Sequence, residues 1–211
     1  MSEAMMAKLH RIDFMIAEMS LLAGGMVYDS TLATMTGDQQ RATRVQHQED
    51  QMNDALRRLE FLTMRTAALA KAPADVHPHI LRAAKTAASI EIIADGATTI
   101  ASKTRAGQAL NAAAVVKNNI TAAAHAVQTM LEQATDAYIK CDAQAAQRAA
   151  EGDDLVDTAY ARGRRSLAVS IQQQSDLAGG GITCLLILQQ LELMGDGVVD
   201  MTRLVQTSRS N

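Results

Sequence analysis

Two short stretches carry the residues best equipped for chemistry: Ile90-Glu91-Ile92-Ile93-Ala94-Asp95-Gly96 and Leu191-Glu192-Leu193-Met194-Gly195-Asp196-Gly197. In each, a glutamate and an aspartate stand four residues apart. On a helix that spacing puts both carboxylates on one face, about 5–6 Å apart. Their neighbours are nearly all apolar or small, so this face is expected to look inward. A buried carboxylate is costly unless something pairs with it or binds it, and the pattern predicts a metal. A further set lies upstream of each stretch: Glu49 with Asn53, and Asp153-Asp154 with Asp157. Helices packed side by side have axes about 8–10 Å apart, so four carboxylates from two of them can converge on one point. An all-oxygen anionic cage suits hard cations such as Fe³⁺, Mg²⁺, Mn²⁺ or Ca²⁺, and admits Zn²⁺. A single ExxxD pair says little, because such pairs are common on solvated helix faces. The signal is the duplicated arrangement.

The elements that must position these acids are helices. Hydrophobic residues make up 48% of the 211-residue chain but aromatics only 2%, so its apolar share is Ala, Leu and Met, which favour helix over strand. Only two prolines, Pro73 and Pro78, interrupt it. Apolar spacing predicts a first helix over 3–34, with Met5, Leu9, Ile12, Ile16, Met19 and Leu22 on one side. Thr36-Gly37-Asp38 is a stop followed by an N-cap. A second helix is expected over 38–70 and a third over 79–102, with Pro73 and His77-Pro78 between them. Gly107, within 104–108, is the best domain boundary. A fourth helix is expected over 109–138, a turn at Cys141-Asp142, and a fifth helix over 143–173. Gly179-Gly180-Gly181 reads as a loop before a sixth helix ending near Val205.

The halves agree in register. Asp38 precedes Glu49 by the same eleven residues that separate Asp142 from Asp153, and the third-helix motifs follow with a shift of three. The prediction is all-α: six long helices forming two pseudo-symmetric three-helix bundles, 1–105 and 106–211.

With Glu49-x-x-x-Asn53, Asp153-Asp154-x-x-Asp157, Glu91-Ile-Ile-Ala-Asp95, Glu192-Leu-Met-Gly-Asp196 and Lys85 six residues before Glu91, the chain resembles the PhoU family of phosphate-transport regulators over almost its whole length. The resemblance implies a regulator rather than an enzyme, restraining phosphate uptake and phosphate-responsive two-component signalling. It implies two partners, a phosphate-responsive sensor kinase and the ATPase of the phosphate ABC transporter, with membrane association only through them. It also implies multinuclear iron or zinc clusters held by paired E(D)xxxD motifs, and a homodimer. The expected ligands are Asp153, Asp157, Glu192 and Asp196, then Glu91, Asp95 and Glu49, with Asn53 in an acid's place. The family commonly has Arg after the third-helix Glu, where this chain has Ile92 and Leu193. Because Asn53 stands where an acid would be expected, unless Asp50 and Asp54 substitute for it, a complete cluster is expected in the second half before the first.

Other classes are weaker. A net charge of −3 without basic runs or stacking aromatics argues against nucleic acid. The run Ile182 to Leu188 is short of the ~18 apolar residues of a bilayer span. Glu3 and Asp13 spoil a signal peptide, and two separated cysteines suit a reducing cytoplasm. No Glu is followed by His three residues on, against a ferritin-like di-iron oxidase. His77, His79, His10, His47 and His125 read as structural or surface positions, and the Arg162, Arg164, Arg165 cluster as a solvated face. The alternatives are a metal-dependent all-α phosphohydrolase, for which acids at i, i+3 and aimed basic residues are wanting, and a metal-free helical adaptor.

Overall fold

The computed structural model describes residues 2–69, 76–105 and 110–207. Its helices are α1 (Glu3–Thr36), α2 (Gln39–Ala67), α3 (Val76–Arg105), α4 (Leu110–Lys140), α5 (Ala143–Ala150), α6 (Asp153–Gln173) and α7 (Ala178–Thr207). A 3₁₀ turn, Ser175–Leu177, joins α6 to α7, and no strand occurs among the described residues. The all-α prediction is correct.

Capping chemistry ends the rods where the sequence says it should. Gly37 takes φ 71°, Asp38 N–H donates to the Ala33 carbonyl at 3.1 Å, and the Asp38 carboxylate then accepts from Arg41 N–H at 2.9 Å. This is a Schellman closure followed at once by an N-cap. The second half repeats it 104 residues later. Asp142 N–H donates to the Ala137 carbonyl at 3.0 Å, and its carboxylate caps α5 through Gln144 and Ala145. Here the left-handed position is held by Cys141 at φ 51°.

Three boundaries differ from the sequence reading. The third helix begins at Val76 and includes His77-Pro78-His79 in its first turn, where proline's missing N–H has no intrahelical acceptor to lose. The expected fifth helix is broken at Glu151-Gly152, although both residues keep right-handed helical dihedrals. A Cβ on Gly152 would lie 2.5 Å from Met130 Cγ, so the break sits where this rod presses on α4. Gly179-Gly180-Gly181 is helical, opening α7 rather than forming a loop. At Gly181 a Cβ would be 2.6 Å from Ile171 Cδ1, so the tight α6–α7 hairpin overrides glycine's low helix propensity. The break expected at Pro73 lies outside the described residues. Of the boundary expected at 104–108, Thr104 and Arg105 end α3 and the rest lies outside them.

The rods pack as two threes. α1, α2 and α3 contact one another, and α4 contacts α5, α6 and α7, with α5 and α6 both on α7. α1 against α4 and α3 against α7 join the sets, and one buried apolar cluster runs through both. Ile12, Ile16, Met19, Ile90, Ile93, Ile100, Ile120, Met130 and Met194 are wholly or almost wholly buried in it. Each such side chain stabilises the fold by about 1.5–3 kcal/mol relative to exposure. α1 also carries polar links: Ser20 to Thr135 and Thr34 to Thr104, both 2.6 Å, and Asp13, which accepts from Tyr138 OH at 2.9 Å and pairs with His79 Nε2 at 2.8 Å. Burial and the neighbouring Asp13 push the Tyr138 phenol well up.

By length and a mean hydropathy of 1.4, the Ser175–Thr207 segment is apolar enough to cross a bilayer, which a count of uninterrupted apolar residues misses. It packs on four other helices and carries Glu192, Asp196 and Asp200. Cys184, Ile187, Leu188, Leu191 and Met194 of this segment are buried in the core, while Ile182, Leu186 and Leu193 are exposed.

Candidate metal centre

Where α6 starts, it lies against the middle of α7. The contact is close because α7 presents Gly195: a Cβ there would be 2.6 Å from Asp153 Oδ1 and 3.4 Å from Val156 Cγ1. Asp153 therefore rests its carboxylate on the α7 backbone, between Glu192 and Asp196 in sequence. Asp157 follows one turn along α6 on the same side. Burial and then the charges of Asp157, Asp196, Glu192 and Asp154 push Asp153 up to about 6. Glu192 is raised as well, by burial and then by Asp196 and Asp157. Carboxylates from two rods thus act on one another across a single contact.

The expectation that these acids face inward is corrected. Asp153 and Glu192 are half-buried, while Asp157 and Asp196 are exposed. The inward positions belong to Leu191, Met194, Val198 and Val156, and the acids line the margin of the helix contact. Apolar side chains displace them from the core, and at the margin water continues to solvate their charges. Among the described residues no three His, Cys, Asp or Glu side chains are already gathered tightly enough to hold an ion. The donor set nevertheless fits a hard cation, being four oxygen ligands, anionic and one turn apart on facing rods. Gly195 provides the close approach.

The first half is built differently. Glu91 is half-buried and Asp95 exposed. Glu91 is raised by burial and then by Asp95 and Glu60, and Asp95 is raised by burial. Glu60, on α2, was not singled out by the sequence reading; it lies outside the repeated register, and only the helix packing brings its charge to bear on Glu91. Glu49 and Asn53 sit half-buried on α2, and among the described residues no hydrogen bond ties either to α3. Asp50 and Asp54, the acids beside Glu49 and Asn53 on α2, are exposed, and Asp54 pairs with Arg57 on its own helix.

The glycines beside the acids act between the bundles. A Cβ on Gly96 would be 2.7 Å from Met194 Cε, and one on Gly197 would be 3.6 Å from Ile93 Cγ1 and the Ser89 carbonyl oxygen. Each glycine directly follows the motif aspartate, so each motif has its acids on the margin and its glycine in the α3–α7 contact. Ile92 and Leu193, where the family commonly has Arg, are exposed.

The PhoU domain matches residues 16–104 and 120–205. Two solved structures superpose over nearly all of the chain. The crystal structure of PhoU from Pseudomonas aeruginosa gives a TM-score of 0.84 at 24% identity, covering 94% of this chain and 95% of its own. The crystal structure of the phosphate transport system regulatory protein PhoU from Streptococcus pneumoniae gives 0.87 at 17% identity, covering 98% of each. At these identities the likeness establishes the fold. No functionally curated protein matches the sequence significantly. With the domain matched in both halves, over the same helices that carry the paired acids, the chain belongs to the PhoU family.

Proposed function

We propose that the protein is a non-enzymatic, cytoplasmic regulator that restrains phosphate uptake and phosphate-responsive two-component signalling. The partners are a phosphate-responsive sensor kinase and the ATPase of a phosphate ABC transporter, through which it reaches the membrane; it acts as a homodimer. The observation that carries this reading is the match of the PhoU domain to both bundles. In it, a metal ion or small iron or zinc cluster is held by Asp153, Asp157, Glu192 and Asp196, with Glu91, Asp95, Glu49 and Asn53 as the lesser first-half site. Burial, and after it the like charges of neighbouring carboxylates, lift Asp153 and Glu192, and this supports a cation here. When bound, such an ion supplies charge neutralisation. The protein's own part is to hold α6 and α7 in fixed relation and present their outer faces to a partner.

Two measurements test it. Cells lacking the protein should take up phosphate and express phosphate-starvation reporters even when phosphate is plentiful, and the intact gene should restore control. Unchanged uptake and reporter output would end the regulatory assignment. Separately, metal analysis of purified protein should show bound iron, zinc or another hard cation, lost in Asp157→Ala/Asp196→Ala. Equal metal content in the two proteins would remove the ligand assignment alone.

A further inference from the structure

Gly24 and Gly25 lie mid-way along α1, where glycine is among the poorest helix formers. Elsewhere in the fold a glycine such as Gly163 is explained by a neighbour, since its Cβ would meet Leu188 Cδ1 at 2.5 Å. At Gly24 and Gly25 a Cβ would meet nothing within 4 Å. No contact inside the chain requires them. They floor a groove of about 560 Å³ between α1 and α4, with Leu21, Tyr28 and Ile139 at its sides. Leu21 is 81% exposed and Tyr28 54%. A second hollow, walled by Tyr28, Leu32 and Met35, continues the groove along the same two helices. From Ala17 to Met35 it runs about 27 Å, the length of a five-turn helix at 1.5 Å per residue.

We infer that this α1–α4 groove docks a basic amphipathic helix of another protein. Large apolar side chains beside a glycine pair, Gly24 half-buried and Gly25 exposed, are what an incoming helix needs to bring its backbone close. The charges on the groove walls fix the partner's sign. They are Glu132 and Asp136. Asp136 pairs with Lys140 on its own helix, whereas Glu132 has no ion pair among the described residues. A second copy is a poor occupant. Thr135 bonds Ser20 and Gln128 bonds the Gly24 carbonyl, so Glu132 lies level with the Leu21–Gly24 segment. Two-fold pairing through that segment would set the two Glu132 carboxylates against each other. The inference is independent of phosphate control and of metal.

The test uses the full-length protein and an 18-residue Leu/Lys amphipathic helix as probe, read by fluorescence anisotropy beside its Leu/Glu counterpart. The Leu/Lys helix should bind, and the Leu/Glu helix should not. Affinity should fall at least about tenfold in Gly24→Leu/Gly25→Leu and in Glu132→Lys. Because Leu is a good helix former, the double glycine variant should melt roughly 4–8 °C higher than the parent, showing that it folds. Equal binding by the variants, equal binding of both probes, or a lowered melting temperature in the glycine variant would overturn the docking site. Sedimentation with phosphatidylcholine vesicles through the same residues would overturn it in favour of a membrane contact.

Discussion

Asp153 concentrates the site's electrostatics in one side chain. Its folded-state value of about 6 lies above the ordinary 3.8 of an aspartate. Between those values the folded protein holds a proton that the unfolded chain has released. Its contribution to stability is therefore full below about pH 4 and is lost as the pH rises through 6. In protein stripped of metal with a chelator, Asp153→Asn is expected to raise the melting temperature at pH 7.5 by about 2–4 °C. Well below pH 3.8 the same variant should melt with the parent, since the carboxyl is then neutral in the folded and the unfolded chain alike. A variant that melts lower than the parent at pH 7.5 would show that the carboxylate is held by an attractive partner rather than disfavoured by burial and like charges. This residue's role was half legible in sequence. Its spacing to Asp157 is visible there. That it rests on Gly195 is not, because a contact between α6 and α7 depends on how two rods cross.

At the scale of elements, the two halves solve the same turn with different residues. Gly37 adopts the left-handed conformation without a Cβ penalty, whereas Cys141 adopts it with one. Cys141→Gly should therefore stabilise the protein by roughly 0.5–1 kcal/mol in denaturant titration, with an unchanged m-value. A loss of stability would mean that the weak Sγ contact to the Tyr138 carbonyl, at 3.7 Å, outweighs the backbone strain. The N-caps at Asp38 and Asp142 were readable from the chain because a cap is decided by residues within one turn. The break at Glu151-Gly152 and the helical Gly179-Gly180-Gly181 were not. Both follow from close contacts, with Met130 and Ile171, that lie on another rod.

The whole molecule behaves as one packed unit because the bundles share a core. α1 meets α4, α3 meets α7, and the buried cluster is continuous through both contacts. Met194 stands at the second contact, fully buried, with its methyl against Gly96 of the other bundle. Met194→Ala should cost about 2–5 kcal/mol. Calorimetry should still show one transition, moved to lower temperature, because neither bundle can loosen here without exposing the other. Two resolved transitions, only one of them shifted, would show that the bundles unfold independently.

Local chemistry and periodicity determined that the chain is helical, how many rods it makes, that it repeats, and which acids share a helical face. Those properties depend on residues within a few turns of one another, and the spacing of Glu91 to Asp95 or Asp153 to Asp157 contains them fully. Tertiary structure alone decided that the acids stay at the margin of the helix contact and that Glu60 of α2 adds its charge to that of Asp95 at Glu91. It also decided that Gly96 and Gly197 join the bundles, while nothing stands where a Cβ on Gly24 or Gly25 would lie. The physical reason is the same throughout: a period says which way a side chain points from its own helix, but only the packing of rods says what it meets there.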